Sequence, residues 1–91
     1  MSREIWKFPL DLSDPYALIP EGAEVLSIQV QGDTLCMWAE VETSAPSTLM
    51  VKFRAFGTGH QLPEPGEWKG QFISTVQLPN GLVFHIYRTL P

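Results

Sequence analysis

Apolar and polar residues alternate in long stretches of this chain. Between Val25 and Gln31, Leu26, Ile28 and Val30 alternate with Ser27, Gln29 and Gln31, the spacing of a strand buried on one face. Gly32-Asp33 follows, a pair suited to a tight hairpin turn. Leu35, Met37, Ala39 and Val41 then share one face of a second strand, with Cys36, Trp38, Glu40 and Glu42 on the other. The pattern predicts a hairpin over residues 25–42.

Turn residues Thr43-Ser44-Ala45-Pro46-Ser47 end that hairpin. In the strand that follows, Leu49, Val51, Phe53 and Ala55 share one face, and Met50, Lys52, Arg54 and Phe56 the other. A second hairpin is predicted over residues 70–89, its strands flanking Pro79-Asn80-Gly81. Asn-Gly fits the two positive φ angles of a type I′ turn. A short strand over Arg3 to Phe8 is expected to pair with a sheet edge. Asp14 to Ile19 reads equally as one helical turn or a short extended piece. Helical periodicity persists nowhere. The expected fold is all-β, with five or six antiparallel strands closed as a small barrel or folded as a sandwich.

Composition narrows the class. With 91 residues, a single domain over 1–91 is expected, with a small core. Eight prolines and seven glycines favour turns and strands over long helices. The formal charge of −4, with six scattered Lys and Arg, argues against duplex nucleic acid, whose binders need a basic face. A pocket for one small anion stays open. The lone Cys36 can form no intrachain disulfide and no cysteine-based metal cluster. No apolar run has the character of a signal peptide or a membrane span. A cytoplasmic location and no membrane partner are therefore expected.

Three stretches carry a resemblance: Ile5-Trp6-Lys7-Phe8-Pro9-Leu10, Gly57-Thr58-Gly59-His60 and Leu82-Val83-Phe84-His85-Ile86-Tyr87. Between them lie Pro20-Glu21-Gly22-Ala23 and Ser27-Ile28-Gln29-Val30-Gln31. Together they resemble a family of small uncharacterised proteins of bacteria and their phages, over nearly the whole chain. The resemblance implies a phage or prophage origin and transfers no activity and no catalytic residue.

Candidate chemistry gathers around Gly57-Thr58-Gly59-His60. Glycines let backbone N–H groups converge on an anion, while Thr58 and His60 add donors. The plainer reading is a strand end needing positive φ at Gly57 or Gly59. His60 and His85, the only histidines, would share a site if their strands were neighbours, and could then act as acid and base near neutral pH. A structural or interface histidine is the simpler role. A metal would need a third ligand such as Glu40 or Glu42, and no metal-binding spacing is visible, so neither metal nor cofactor is expected. Cys36 reads as inert packing, and Ser74 and Thr75 lack a nucleophile elbow.

The second strand faces are unusually apolar, with Trp38, Met50, Phe56 and Ile73. Either a homo-oligomer covers them, or an N-terminal arm, Trp6 to Ile19, wraps over them. Lys52, Arg54, Lys69 and Arg88 lie on or beside strands. Arg54 with Trp68 could clamp a nucleotide, cation to phosphate and aromatic to base; plain surface charge is the simpler account. The loop Gln61 to Trp68, stiffened by Pro63 and Pro65, is a crossover or a protein-binding edge.

The favoured function is a non-enzymatic binding protein. It would sequester a small nucleotide signal or block a host protein, as a phage anti-defence accessory does. The ligand residues would be Arg54, Gly57, Thr58, Gly59, His60, Trp68 and His85. A phosphodiester hydrolase using His60 and His85 is one alternative. A structural interaction module is the other.

Overall fold

The computed structural model describes residues 2–91 as seven strands and no helix. These are β1 (Arg3–Leu10), β2 (Tyr16–Ile19), β3 (Glu24–Gln31), β4 (Thr34–Glu42), β5 (Leu49–Gly57), β6 (Gly70–Gln77) and β7 (Val83–Thr89). They form a three-stranded sheet ordered β1-β4-β3 and a four-stranded sheet ordered β2-β5-β7-β6, with every pairing antiparallel. The sheets pack as a small sandwich, not a closed barrel. Extents of 45 × 34 × 16 Å describe a thin slab, about the depth of two stacked sheets.

Both predicted hairpins form, as β3–β4 and β6–β7. The expected count of five or six strands was short by β2, since Tyr16–Ile19 is extended and pairs with β5. With four residues, β2 is too short for its alternation to be told from a helical turn. The N-terminal strand pairs with β4, which thereby becomes central, and is itself the edge. An edge strand tolerates Pro9, which has no N–H to give to a ladder. The N-terminal segment therefore wraps no outer face: Trp6 and Phe8 pack against the core between the sheets.

That core is built by strand alternation. Leu35, Met37, Ala39 and Val41 of β4 are buried, as are Val51 and Phe53 of β5 and Ile86 of β7, joined by Leu10, Ile19, Ile28 and Val76. Two bulges break the phase. The β3–β4 register shifts between Val25 and Ser27, and the extra residue of a bulge leaves the ladder. Leu26 is consequently 49% exposed, against expectation. A second shift between Phe72 and Ser74 has the opposite result: Ile73, expected on an outer face, packs against the core.

Turn chemistry fixes the corners. Gly32, at φ 65°, takes the first position of a type II′ turn between the paired Gln31 and Thr34. The second hairpin does not form the expected type I′ turn. Gly81 has φ 88°, but no non-glycine residue among those described has positive φ, so Asn80 is excluded from that geometry. The Gly81 N–H bonds to the Leu78 carbonyl at 2.9 Å and the Leu78 N–H to the Leu82 carbonyl at 2.9 Å. This is a three-residue loop, a turn followed by one left-handed glycine. Pro79 ahead of Asn80 favours it by presetting a negative φ at the first turn position. Between β1 and β2, the Asp11 carboxylate accepts bonds from the Ser13 hydroxyl at 2.8 Å and the Ser13 N–H at 3.0 Å. Those bonds lower its pKa. The small stability this adds is present above the ordinary carboxylate range and is lost as pH falls through the lowered value. Where the sheets approach at β3 and β6, the Ser74 hydroxyl donates to the Ile28 carbonyl at 2.6 Å.

Candidate functional site

Register places the candidate residues on the outer face of the four-stranded sheet. Tyr16 pairs with Lys52 and Leu18 with Met50. Arg54 pairs with Tyr87 and Phe56 with His85. Phe72 pairs with Tyr87, Thr75 with His85 and Gly70 with Thr89. Because paired residues of antiparallel strands point the same way, these side chains share one surface. It runs from an apolar row, Leu18 and Met50, through a cationic and aromatic belt to a histidine and threonine end.

Trp68 anchors the belt from the β5–β6 loop. Its ring lies across Gly70, where an added Cβ would sit 2.0 Å from a ring carbon, so only glycine fits beneath it. Edge contacts join it to Phe56 and Tyr87 at centroid distances of 5.6 and 5.9 Å. Its indole N–H donates to the Thr89 hydroxyl at 3.2 Å. Arg54 stacks on this cluster, its guanidinium carbon 5.1 Å from the centroids of both Phe56 and Trp68, within cation–π range. Among the described residues the one ion pair of the chain is Arg3–Glu40. Arg54 and Lys52 therefore have no carboxylate partner.

A cleft of about 560 Å³ opens beside the cluster, lined by Asp14, Tyr16, Met50, Lys52, Arg54, Trp68 and Thr89, with Pro15 and Phe53 beneath. That volume suits a small organic ligand. On its far side Arg54 also lines a cavity of about 390 Å³ with Gln61, Leu62, Pro63, Glu64 and Glu67. The loop Gln61 to Trp68 thus walls the surface around Arg54 on that side.

Gly57-Thr58-Gly59-His60 is a tight turn in which the His60 N–H bonds to the Gly57 carbonyl at 3.0 Å. Gly59, at φ 85°, supplies the positive φ of a type II turn. The His60 ring folds back on Gly57, where a Cβ would lie 2.8 Å from ring atom Cε1. Each glycine thus has a local structural reason. Since β5 and β7 are neighbours, His60 and His85 line one pocket of about 160 Å³ with Thr58, Leu62 and Tyr87. His85 is held at both ring nitrogens, Nε2 2.8 Å from the Thr58 hydroxyl and Nδ1 2.9 Å from that of Thr75. A neutral imidazole donates at one nitrogen and accepts at the other, so these hydroxyls satisfy it fully. His85 thereby ties the turn to β6 and β7.

The seven residues singled out from sequence fall into two adjoining groups. Arg54 and Trp68 line the larger cleft, while Gly57, Thr58, Gly59, His60 and His85 surround the smaller pocket. Phe56 and Tyr87 lie between the groups. Glu40 and Glu42 belong to β4 in the other sheet. Among the described residues no three His, Cys, Asp or Glu side chains are grouped to hold a metal ion. Cys36 is buried against the strand, and its thiol points to the Thr34 carbonyl at 3.6 Å. Sequence reasoning missed Asp14, Tyr16 and Thr89 as cleft residues. The alternation of Tyr16 and Leu18 with Ala17 and Ile19 was a signal for the first two, once β2 is read as a strand.

Among the described residues no helix is long and apolar enough to cross a membrane. No curated protein and no solved structure matches the chain. A family model matches residues 1–91 in full, and by that match the chain belongs to the DUF7352 family, a domain of unknown function.

Proposed function

We propose that this protein is a non-enzymatic binding module whose site is the cleft between Tyr16 and Trp68. The observation that carries the reading is Arg54. Its guanidinium is held against two aromatic rings and lacks a carboxylate partner, although ten acidic residues are available in the chain. A cation oriented in advance and free of a direct ion pair is what an anionic ligand requires, because little side-chain freedom remains to be lost on binding. Lys52 lies two residues away on the same face and adds a second charge. Tyr16 and Trp68 offer flat surfaces for an aromatic ring. A small nucleotide combines both chemistries.

In its most specific form the proposal is a phage or prophage accessory that sequesters a nucleotide signal in its host's cytoplasm. The resemblance to small bacterial and phage proteins supports this form. Binding is favoured over phosphodiester hydrolysis because both nitrogens of His85 are occupied by threonine hydroxyls. The expected homo-oligomer belongs to the same proposal, since a second copy seated on exposed Leu18 and Met50 would flank the cleft.

Native mass spectrometry after exposure to a nucleotide pool tests the reading. The expected result is uptake of intact nucleotide, with oligomeric mass read from the same spectrum. Arg54→Ala should lower that uptake at least about tenfold, as loss of one charge-assisted contact implies. Release of hydrolysed product would favour the hydrolase. Absence of uptake would redirect the search to a protein target.

A further inference from the structure

The cleft also carries a carboxylate. Asp14 lines it together with Arg54 and Lys52, yet it forms no ion pair with either cation. Its backbone is fixed on both sides. The Asp14 N–H bonds to the Asp11 carbonyl at 3.1 Å, and the next residue, buried Pro15, accepts from the Phe53 N–H at 2.9 Å. An acceptor and two cations thus face one space without neutralising each other. A ligand matched to them bears both negative charge and N–H donors.

Resting on the nucleotide reading above, we infer that Asp14 is a specificity residue and that the cleft prefers guanine nucleotides. Guanine presents its N1–H and 2-amino group side by side, and a carboxylate accepts both at once. Adenine places the N1 lone pair on the corresponding edge, where it opposes a carboxylate oxygen. Tyr16 adjoins Asp14 across Pro15 and stands half exposed, ready to stack on the base. Phosphates then run over β5 toward Lys52 and Arg54.

Calorimetric titration of the full chain with GTP, ITP and ATP tests this inference. GTP should bind about 5- to 100-fold more tightly than ATP, the discrimination typical of one bidentate contact. ITP, which keeps N1–H and lacks the 2-amino group, should fall between them. Asp14→Asn should bring GTP within about twofold of ATP while ATP binding persists, because one of the two acceptor oxygens is gone. Arg54→Ala should weaken all three nucleotides alike. Binding without guanine preference, or a preference that survives Asp14→Asn, overturns the role of Asp14 and leaves the cleft reading intact. No binding of any nucleotide overturns both.

Discussion

The outer faces of the two sheets, built by the same alternation, differ in how their charges are used. On the three-stranded sheet Arg3 pairs with Glu40, and the Lys7 ammonium donates to the Gln31 side chain at 2.9 Å. Glu24 and Glu42 complete an ordinary solvated surface. On the four-stranded sheet Lys52 and Arg54 have no carboxylate partner, and they stand among Tyr16, Met50, Trp68 and Phe72. A face serving only solubility satisfies its charges or disperses them in water. On the four-stranded face Arg54 is oriented against flat aromatic rings without a direct ion pair, which is why the binding proposal rests on this side of the slab.

The inner layer should be indifferent to that contrast and should give the largest effects. Ile86→Ala removes a side chain with no exposure and should cost about 2–5 kcal/mol in urea unfolding. Ile5→Ala, on the outer face of the other sheet at 61% exposure, should stay within about 0.5 kcal/mol. Similar losses for the two would mean that another molecule covers Ile5.

Gly70→Ala acts on the outer face of the four-stranded sheet alone. The new methyl occupies the space of the Trp68 ring, so the ring must lift. The strain should cost about 1–3 kcal/mol and weaken the near-ultraviolet dichroism of the coupled aromatic cluster. An unchanged aromatic spectrum would show that Trp68 does not sit on Gly70 in solution.

Glu40→Gln should have the smallest effect, with no resolvable change in the unfolding midpoint at low or high salt. Its partner Arg3 is largely exposed, and exposed ion pairs contribute little. The Arg3 pKa is raised by its hydrogen bond and attraction to Glu40, which keeps an already charged group charged throughout the ordinary pH range. A loss as large as that of Gly70→Ala would mean that the polar face, too, is held by specific contacts.

Legibility followed the range of the interactions involved. The β4 faces follow directly from its sequence, since Leu35, Met37, Ala39 and Val41 alternate without interruption and all are buried. Leu26 and Ile73 were misplaced because a bulge belongs to a pair of strands, and one strand's periodicity does not contain it. The turn at Pro79-Asn80-Gly81 was located correctly and its type was not, because Pro79 altered what Asn-Gly adopts. Trp68 and Arg54 were singled out by residue type. Nothing local showed that Gly70 makes room for the ring, or that Asp14 lines the same cleft as Arg54.

The sequence by itself determined an all-β chain with both hairpins in place, because side-chain period and turn residues act over a few positions. Which strands became neighbours, and so whether His85 meets Thr58 or Arg54 meets Trp68, was decided only by the tertiary structure. Those contacts join residues 27 and 14 positions apart. They depend on how two sheets bury a common core, a global choice that no local pattern encodes.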